Sequence, residues 1–440
     1  MPDGPINTEG LPAIRAGSAR VEITPPLGTA LAGYFSPRWS DRVEDPLFAK
    51  ALVLESGGER VALVSCDVIC MPADIADPAR EMIEQRTGIP GGNVLICATH
   101  THTGPEMRRG RTVIPANEEW LDTVPGLIAE AVDAALADMF DAVLIPGREC
   151  EDRLGSNRLG RNPDGTEVFG KEGAIGPAGP IDPELLAMSI RDHEGTVRAM
   201  IVNYAMHADT VGGNGISAGW PGRVDSTLRS LYGEQCVTIF LQGACGDINH
   251  AHWFKSRWIG KGIQKATQMG RAMAGLAVNA TELAEPLETG EIACIFRHEP
   301  IPYYTRDEKM RAEVEEKRAM EDKPGRWDFI IQRFDEWELD GQIAQLPIQV
   351  IRIGEVMIVG IPSEVFVEWG LEIKHWSPAQ FTFVAELAND WFGYIPTTDQ
   401  AHRGAYGAQP LLSRRLEADG GRKMTDAVQV AMYDLWRQGS

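Results

Sequence analysis

The chain has 440 residues, of which 43% are hydrophobic and 24% charged, the balance of an ordinary globular protein and not of a disordered chain or a disulfide scaffold. Lysine and arginine number 42 against 63 aspartates and glutamates, and the resulting formal charge of −21 repels phosphate backbones and anionic headgroups, which excludes a nucleic-acid partner. No apolar run approaches a membrane span and no basic-then-apolar leader opens the chain, so we expect a cytoplasmic protein without stable membrane insertion; a homo-oligomer is left open.

Four short β-branched runs come first: ARVEIT, AKALVLE, RVALVSCDVI and NVLICA. Helical patterns lie among and after them, near Pro78 to Arg86 and Leu121 to Phe140. The Gly- and Pro-rich stretch from Asn162 to Pro183 reads as a long loop, and such loops in compact domains are often functional. VRAMIVNYA and CVTIFLQ are the next strands, with helical patterns at Val224 to Tyr232 and Ile263 to Leu283. The charged segment Arg306 to Asp340 breaks at Pro324 and sets Trp327, Ile330, Ile331, Phe334 and Trp337 at helical spacing. That is a core-facing stripe first, and a substrate-covering cap second. PIQVIRI, VMIVGIP and a helix from Ala427 to Arg437 close the chain. Strands interleaved with helices predict an α/β fold with mixed sheets flanked by helices, in one domain over residues 1–440. The seven cysteines are scattered without a CxxC pair and read as free thiols packed as small hydrophobes.

The run NVLICATHTHTGPE ends an apolar strand in His100 and His102, flanked only by small or hydroxylated residues. Alternate residues of an extended chain share a face, so both imidazoles can enter one cleft at a strand's carboxyl end, where ligands bind in open α/β sheets. VRAMIVNYAMHADT ends in the same manner at His207. Catalytic zinc takes about three nitrogen or oxygen ligands and leaves a place for water, and Glu364, in the turn of VGIPSEVFVEW, is a candidate carboxylate. Taken alone, Glu364 reads better as an acid favouring a helix N-terminus. Two further turns stand out: QGACGD around Cys245, whose glycines let backbone approach a ligand, and ANDWFGY with Asn389, Asp390 and Tyr394.

These motifs, taken in order, resemble the catalytic domain of the neutral ceramidases, zinc enzymes that cleave the amide of N-acylsphingosine. ARVEITPPLGTALAGY, VEDPLFAKALVLE, ATHTHTGP, NYAMH, QGACGD, VGIPSE and LANDWFGY, with the distal Tyr406, carry the resemblance over most of the chain. It implies zinc ligation by His100, His207, Glu364 and Tyr394, and it places His102, Arg158 and Tyr406 around the scissile carbonyl. The activity it implies is hydrolysis of an amide acyl bond by a metal-activated water. Asp247 or Asp390 would orient a ligating imidazole, and Trp220, His250, His252 and Trp253 are candidates to shape the pocket. Gly243 departs from the family, which carries a serine there, and we expect no separate carboxyl-terminal β domain. We therefore expect a smaller or more polar acyl substrate than ceramide. The alternatives are a lactonase or esterase on the same scaffold and, from another class, a non-catalytic ligand-binding protein. A barrel amidohydrolase ranks lower, because several strands precede His100.

Overall fold

The computed structural model describes residues 4–34, 36–111, 113–169, 173–250, 260–323 and 326–438. Its larger sheet contains β1 (Ile14–Glu22), β2 (Phe48–Ser56), β3 (Glu59–Cys66), β4 (Val94–Ala98), β5 (Phe140–Cys150), β6 (Glu184–Asp192), β7 (Val197–Tyr204) and β8 (Val237–Gln242). Their order is β8-β7-β6-β5-β1-β2-β3-β4, antiparallel except for the outer pairs β7/β8 and β3/β4. The smaller sheet is β9 (Ile292–Pro302), β10 (Ile343–Ile353), β11 (Val356–Gly360) and β12 (Phe381–Ala385), with β11 and β12 parallel.

Side-chain alternation decides the layers. In β3, Val61 and Leu63 join Leu52, Leu95, Ile201 and Ile239 against Ile351, Ile358 and Phe383 of the smaller sheet, so the two sheets share an apolar interface. The opposite faces carry helices. Ala62, Val64 and Cys66 meet α1 (Ala73–Thr87) and α2 (Val124–Ala137). Met200, Val202 and Phe240 meet α3 (Gly219–Tyr232) and α4 (Ile263–Glu282). Helices α5 (Glu308–Arg318) and α6 (Arg326–Glu336) form a separate small cluster with Leu411, whereas α7 (Val367–Trp376) and α8 (Gly420–Gln438) cover the smaller sheet through Trp369, Ile373, Val428 and Met432. The result is the mixed, helix-flanked α/β architecture expected.

The larger sheet curls until its two ends meet: the Ser65 hydroxyl on β3 donates to the Phe240 carbonyl on β8 at 2.6 Å. Asn203 on β7 ties the seam by donating to the carbonyls of Leu241 and Val384, both at 2.8 Å. This curl brings the carboxyl ends of β4 and β7 together although they lie far apart in strand order.

Four strands escape the sequence pattern. DAVLIPGREC on β5 contains Pro146 and Gly147, the charged IACIFRHEPIP of β9 alternates weakly, and β6 and β12 are runs not singled out in the sequence. The second helix ends at Ala137, so Phe140 already belongs to β5. The first starts at Ala73 and keeps Pro78 inside it. The expected long loop contributes Glu167–Phe169 and Gly176–Pro177 to a small sheet with the preceding Leu159–Arg161. All seven cysteines are free, Cys150 being exposed.

Candidate metal centre and active site

His100 follows β4 and His207 follows β7, and their Nε2 atoms face one another at 3.0 Å. The Oε2 atom of Glu364 stands 3.5 Å from the first and 3.6 Å from the second. Each imidazole is fixed from behind. His100 Nδ1 donates to the Ile69 carbonyl at 2.7 Å and His207 Nδ1 to the Cys245 carbonyl at 2.9 Å. With the proton on Nδ1, both Nε2 atoms present lone pairs to each other and to a carboxylate oxygen. Burial drives both imidazoles below their ordinary pKa, so protonation does not relieve the conflict. A divalent cation does: zinc donors at about 2.0–2.1 Å stand about 3.3–3.4 Å apart in a tetrahedron, close to these separations. The donor set fits such an ion.

His102 belongs to the same buried cluster, its Nε2 lying 3.3 Å from that of His100. It differs in one respect: its buried Nδ1 has no partner. Metal-ligating histidines nearly always donate their second nitrogen to a fixed acceptor, and here only His100 and His207 do. The two histidines of the THTH run do not converge by strand alternation. His100 is left-handed at φ 66°, so the chain kinks there and swings the rings to 87° from each other.

Strain of this kind concentrates around the site. Among the described residues five non-glycines have positive φ, and four of them, His100, Ser363, Leu387 and Asn389, flank these donors. Reciprocal bonds hold them. Asn389 donates its backbone N–H to the Ile96 carbonyl at 2.8 Å and accepts from Ile96 N at 3.1 Å, and the Ser363 hydroxyl accepts from Phe392 N at 2.7 Å. Glu364 and Tyr394 face each other in a two-residue parallel pair, which sets the phenol against the carboxylate. Burial first, and then Glu364, raise the Tyr394 hydroxyl well above its ordinary pKa; without a cation it keeps its proton.

Arg158 and Tyr406 are brought to the same place. The buried guanidinium lies 4.2 Å over the Tyr406 ring, donates to the Gly246 carbonyl at 3.1 Å and bears on Tyr394. A cavity of about 130 Å³ opens on this group, its wall including His100, His102, Glu364, Tyr394 and Tyr406. Phe329, Gln332, Arg333 and Glu336 of α6 form another side, while Ile330 and Phe334 of the same helix pack inward. The amphipathic segment is therefore both core stripe and pocket wall.

On this geometry the chain can be set beside known proteins. It is similar in structure to the neutral ceramidase from Pseudomonas aeruginosa, with a TM-score of 0.75 and 17% identity over 97% of this chain and 75% of that one. A ceramidase complexed with C2 gives a TM-score of 0.76 at 17% identity, covering 97% and 76%. The fold is that of the neutral ceramidases. No protein-family model matches the sequence, and no curated protein matches it.

On the ceramidase fold some expected residues stand elsewhere. Asp247 and Asp390 orient no imidazole. Asp247 accepts from Asn157 and Val367 N, both at 2.8 Å, and Asp390 accepts from Ala73 N at 3.1 Å and Trp391 N at 2.6 Å. Backbone carbonyls do the orienting. Trp220 is buried beneath the site and donates to the His207 carbonyl at 3.1 Å, and His250 pairs with Asp209 at 2.8 Å. His252 and Trp253 lie outside the described residues. The pattern reading missed Glu386, which accepts the Cys245 thiol at 3.0 Å and Val365 N at 2.7 Å and so braces the turns of His207 and Glu364. Its only sequence signal was an acid closing an apolar strand. Gly243 is dictated by packing: a Cβ there would lie 2.8 Å from Ala205 N and 2.9 Å from Ala205 Cα, both backbone.

Proposed function

We propose that this protein is a zinc-dependent hydrolase cleaving an amide acyl bond of a small, polar substrate. The observation that carries the reading is the convergence of His100 Nε2, His207 Nε2 and Glu364 Oε2 within 3.0–3.6 Å while both Nδ1 atoms are tied to carbonyls. His100, His207 and Glu364 would hold the ion, with Tyr394 as the fourth donor in its deprotonated form. Zinc in that position supplies a water-derived nucleophile near neutral pH.

The remaining steps belong to the chain. Tyr406, on the cavity wall, donates to the substrate carbonyl and steadies the charge that grows on its oxygen. Arg158 lies over the Tyr406 ring and bears on Tyr394, where its positive charge favours the phenolate that a cation requires. His102, whose Nδ1 is tethered by no fixed acceptor, carries a proton to the leaving nitrogen. The polar side chains on the cavity wall, Gln332, Glu336 and Ser413 among them, favour a polar substrate over a long acyl chain. An ester or lactone is the second reading, and Gly243 favours it, since its packing leaves no place for the serine of the ceramidase turn.

Elemental analysis of the purified protein, followed by turnover on matched short-chain amides, esters and lactones, tests the proposal. We expect one zinc per chain and the highest kcat/KM on an amide. A metal-free protein without turnover would sink it.

A further inference from the structure

Besides the histidines, the cavity wall carries arginines that the hydrolytic reading leaves unused. Arg108, Arg111 and Arg333 all line it, coming from two separate segments of the chain, and Arg415 backs it from a third. Charge is concentrated here against the trend of a chain whose net charge is −21. Among the described residues one carboxylate is ion-paired with them, while Glu336 and Asp390 bear on Arg333 and Arg415 from a distance. Glu106 accepts from Arg108 Nε at 2.6 Å and Nη2 at 2.7 Å, and from Arg111 Nη1 at 3.1 Å. Arg333 instead stacks on Phe329 at 5.3 Å and Arg415 on Trp391 at 5.0 Å; among the described residues no carboxylate pairs with either.

Buried guanidiniums are costly unless an anion compensates them. Burial, and next the neighbouring arginines, push Arg111 and Arg415 down to about 10, the signature of like charges crowded out of water. The cluster is also joined to the metal donors. The Trp391 ring carries Arg108 on its face at 4.5 Å and Arg415 at 5.0 Å, while its indole N–H donates to Glu364 Oε1 at 3.4 Å. A group held by the arginines thus sits one indole away from a carboxylate facing His100 and His207.

We infer that Arg108, Arg111, Arg333 and Arg415 form a subsite for an anionic oxygen group, carboxylate or phosphate, on the substrate hydrolysed at the neighbouring centre. The inference rests on the hydrolase reading for what happens to that substrate, but not for the binding itself. Guanidinium forks match the planar oxygens of a carboxylate or the face of a phosphate, and a rigid wall of them positions the rest of the molecule.

The test is calorimetric titration of the purified protein with N-acetylglycine, its neutral counterpart N-acetylglycinamide, and methyl phosphate, with metal content measured on the same samples. We expect an anion to bind about 10- to 100-fold more tightly than the neutral amide. That margin should collapse in Arg333→Gln, and again in Arg111→Gln, which changes a separate element if the first variant folds poorly. A preference for methyl phosphate over N-acetylglycine identifies the group as phosphate, and the reverse identifies a carboxylate. Equal binding of acid and amide overturns the subsite. So does a preference that survives both substitutions, because the anion would then be bound by the metal alone. Neither result touches the hydrolase reading, which stands or falls on metal content and turnover.

Discussion

The Cys245 thiol donates to the Glu386 carboxyl at 3.0 Å, deep beneath the residues that face the cavity. Burial, above all, raises Glu386 well above the ordinary carboxylate pKa, so it stands as a neutral acid with one oxygen on Val365 N at 2.7 Å. Glu386→Gln therefore preserves most of the brace, whereas Glu386→Ala leaves the Val365 amide unpaired, at about 1–3 kcal/mol. Because the brace sets both the Cys245 carbonyl and Glu364, we expect the alanine variant to bind zinc about 10- to 100-fold more weakly. Competition against a chromogenic chelator measures this, and equal affinity in the two variants contradicts it.

Removing the ion should expose the lone-pair conflict between His100 and His207. A ligand held at 100 to 1,000 times its Kd contributes about 3–4 kcal/mol. Chelation should lower the melting temperature and abolish turnover, and zinc should restore both. His207→Gln should purify with little metal. Scanning calorimetry with and without chelator decides; an unchanged melting temperature on stripping would count against the site.

Arg158→Met should lower kcat by about 100- to 1,000-fold while leaving metal content intact, since the guanidinium reaches the reaction through Tyr394 and Tyr406. Arg158→Lys keeps the charge but loses the stacked plane over Tyr406 and should recover only part of the rate. Steady-state kinetics on both variants provides the check. A metal-poor Arg158→Met protein would instead assign the residue to holding the ligands in place.

Glu368 makes stability pH-dependent. Burial, and then the neighbouring Asp247, raise it to about 7, so the folded chain keeps a proton that the unfolded chain releases near pH 4.5. Between these values the folded state binds more protons, and stability must fall as pH rises. The contribution is on the order of 1–3 kcal/mol over that window. Glu368→Gln should flatten this slope, as its amide can donate to Asp247 at any pH. Melting temperatures from pH 4.5 to 8 for both proteins test it; parallel curves would refute it.

Gly243→Ser should not create a ceramidase. Its Cβ would meet the Ala205 backbone at 2.8 Å, forcing a shift that overpacking studies put at about 1–3 kcal/mol. Denaturant melts and an N-acylsphingosine assay measure the two halves of the claim. A stable variant with new activity on that lipid would overturn it.

The sequence displayed the donors more clearly than the reason they meet. His100 and His207 were legible because each ends an apolar strand, β4 and β7, and is followed by small polar residues. Their meeting depends on the curl sealed by Ser65 and Phe240, which is a long-range property that no local pattern encodes. Glu364 on its own favoured a helix-terminus reading, and its pairing with Tyr394 becomes visible only when β11 and β12 lie side by side. Asp247 and Asp390 looked like supports because acids near imidazoles usually are, yet carbonyls at Ile69 and Cys245 do that work. Carbonyls carry no side-chain signature. The arginine wall was invisible for a similar reason: Arg108, Arg333 and Arg415 become neighbours only through α6 and the Trp391 turn.

The curl that brings β4 and β7 together also means that neither sheet owns the reactive corner. Two of the proposed donors hang from one sheet and two from the turns of the other, so an ion among them would rivet two leaves whose shared face is chiefly apolar, with Asn203 reaching the Val384 carbonyl across it. Loading with metal would then report on assembly as well as on chemistry: a half-folded intermediate, with either leaf unfinished, would have nothing to grip the ion.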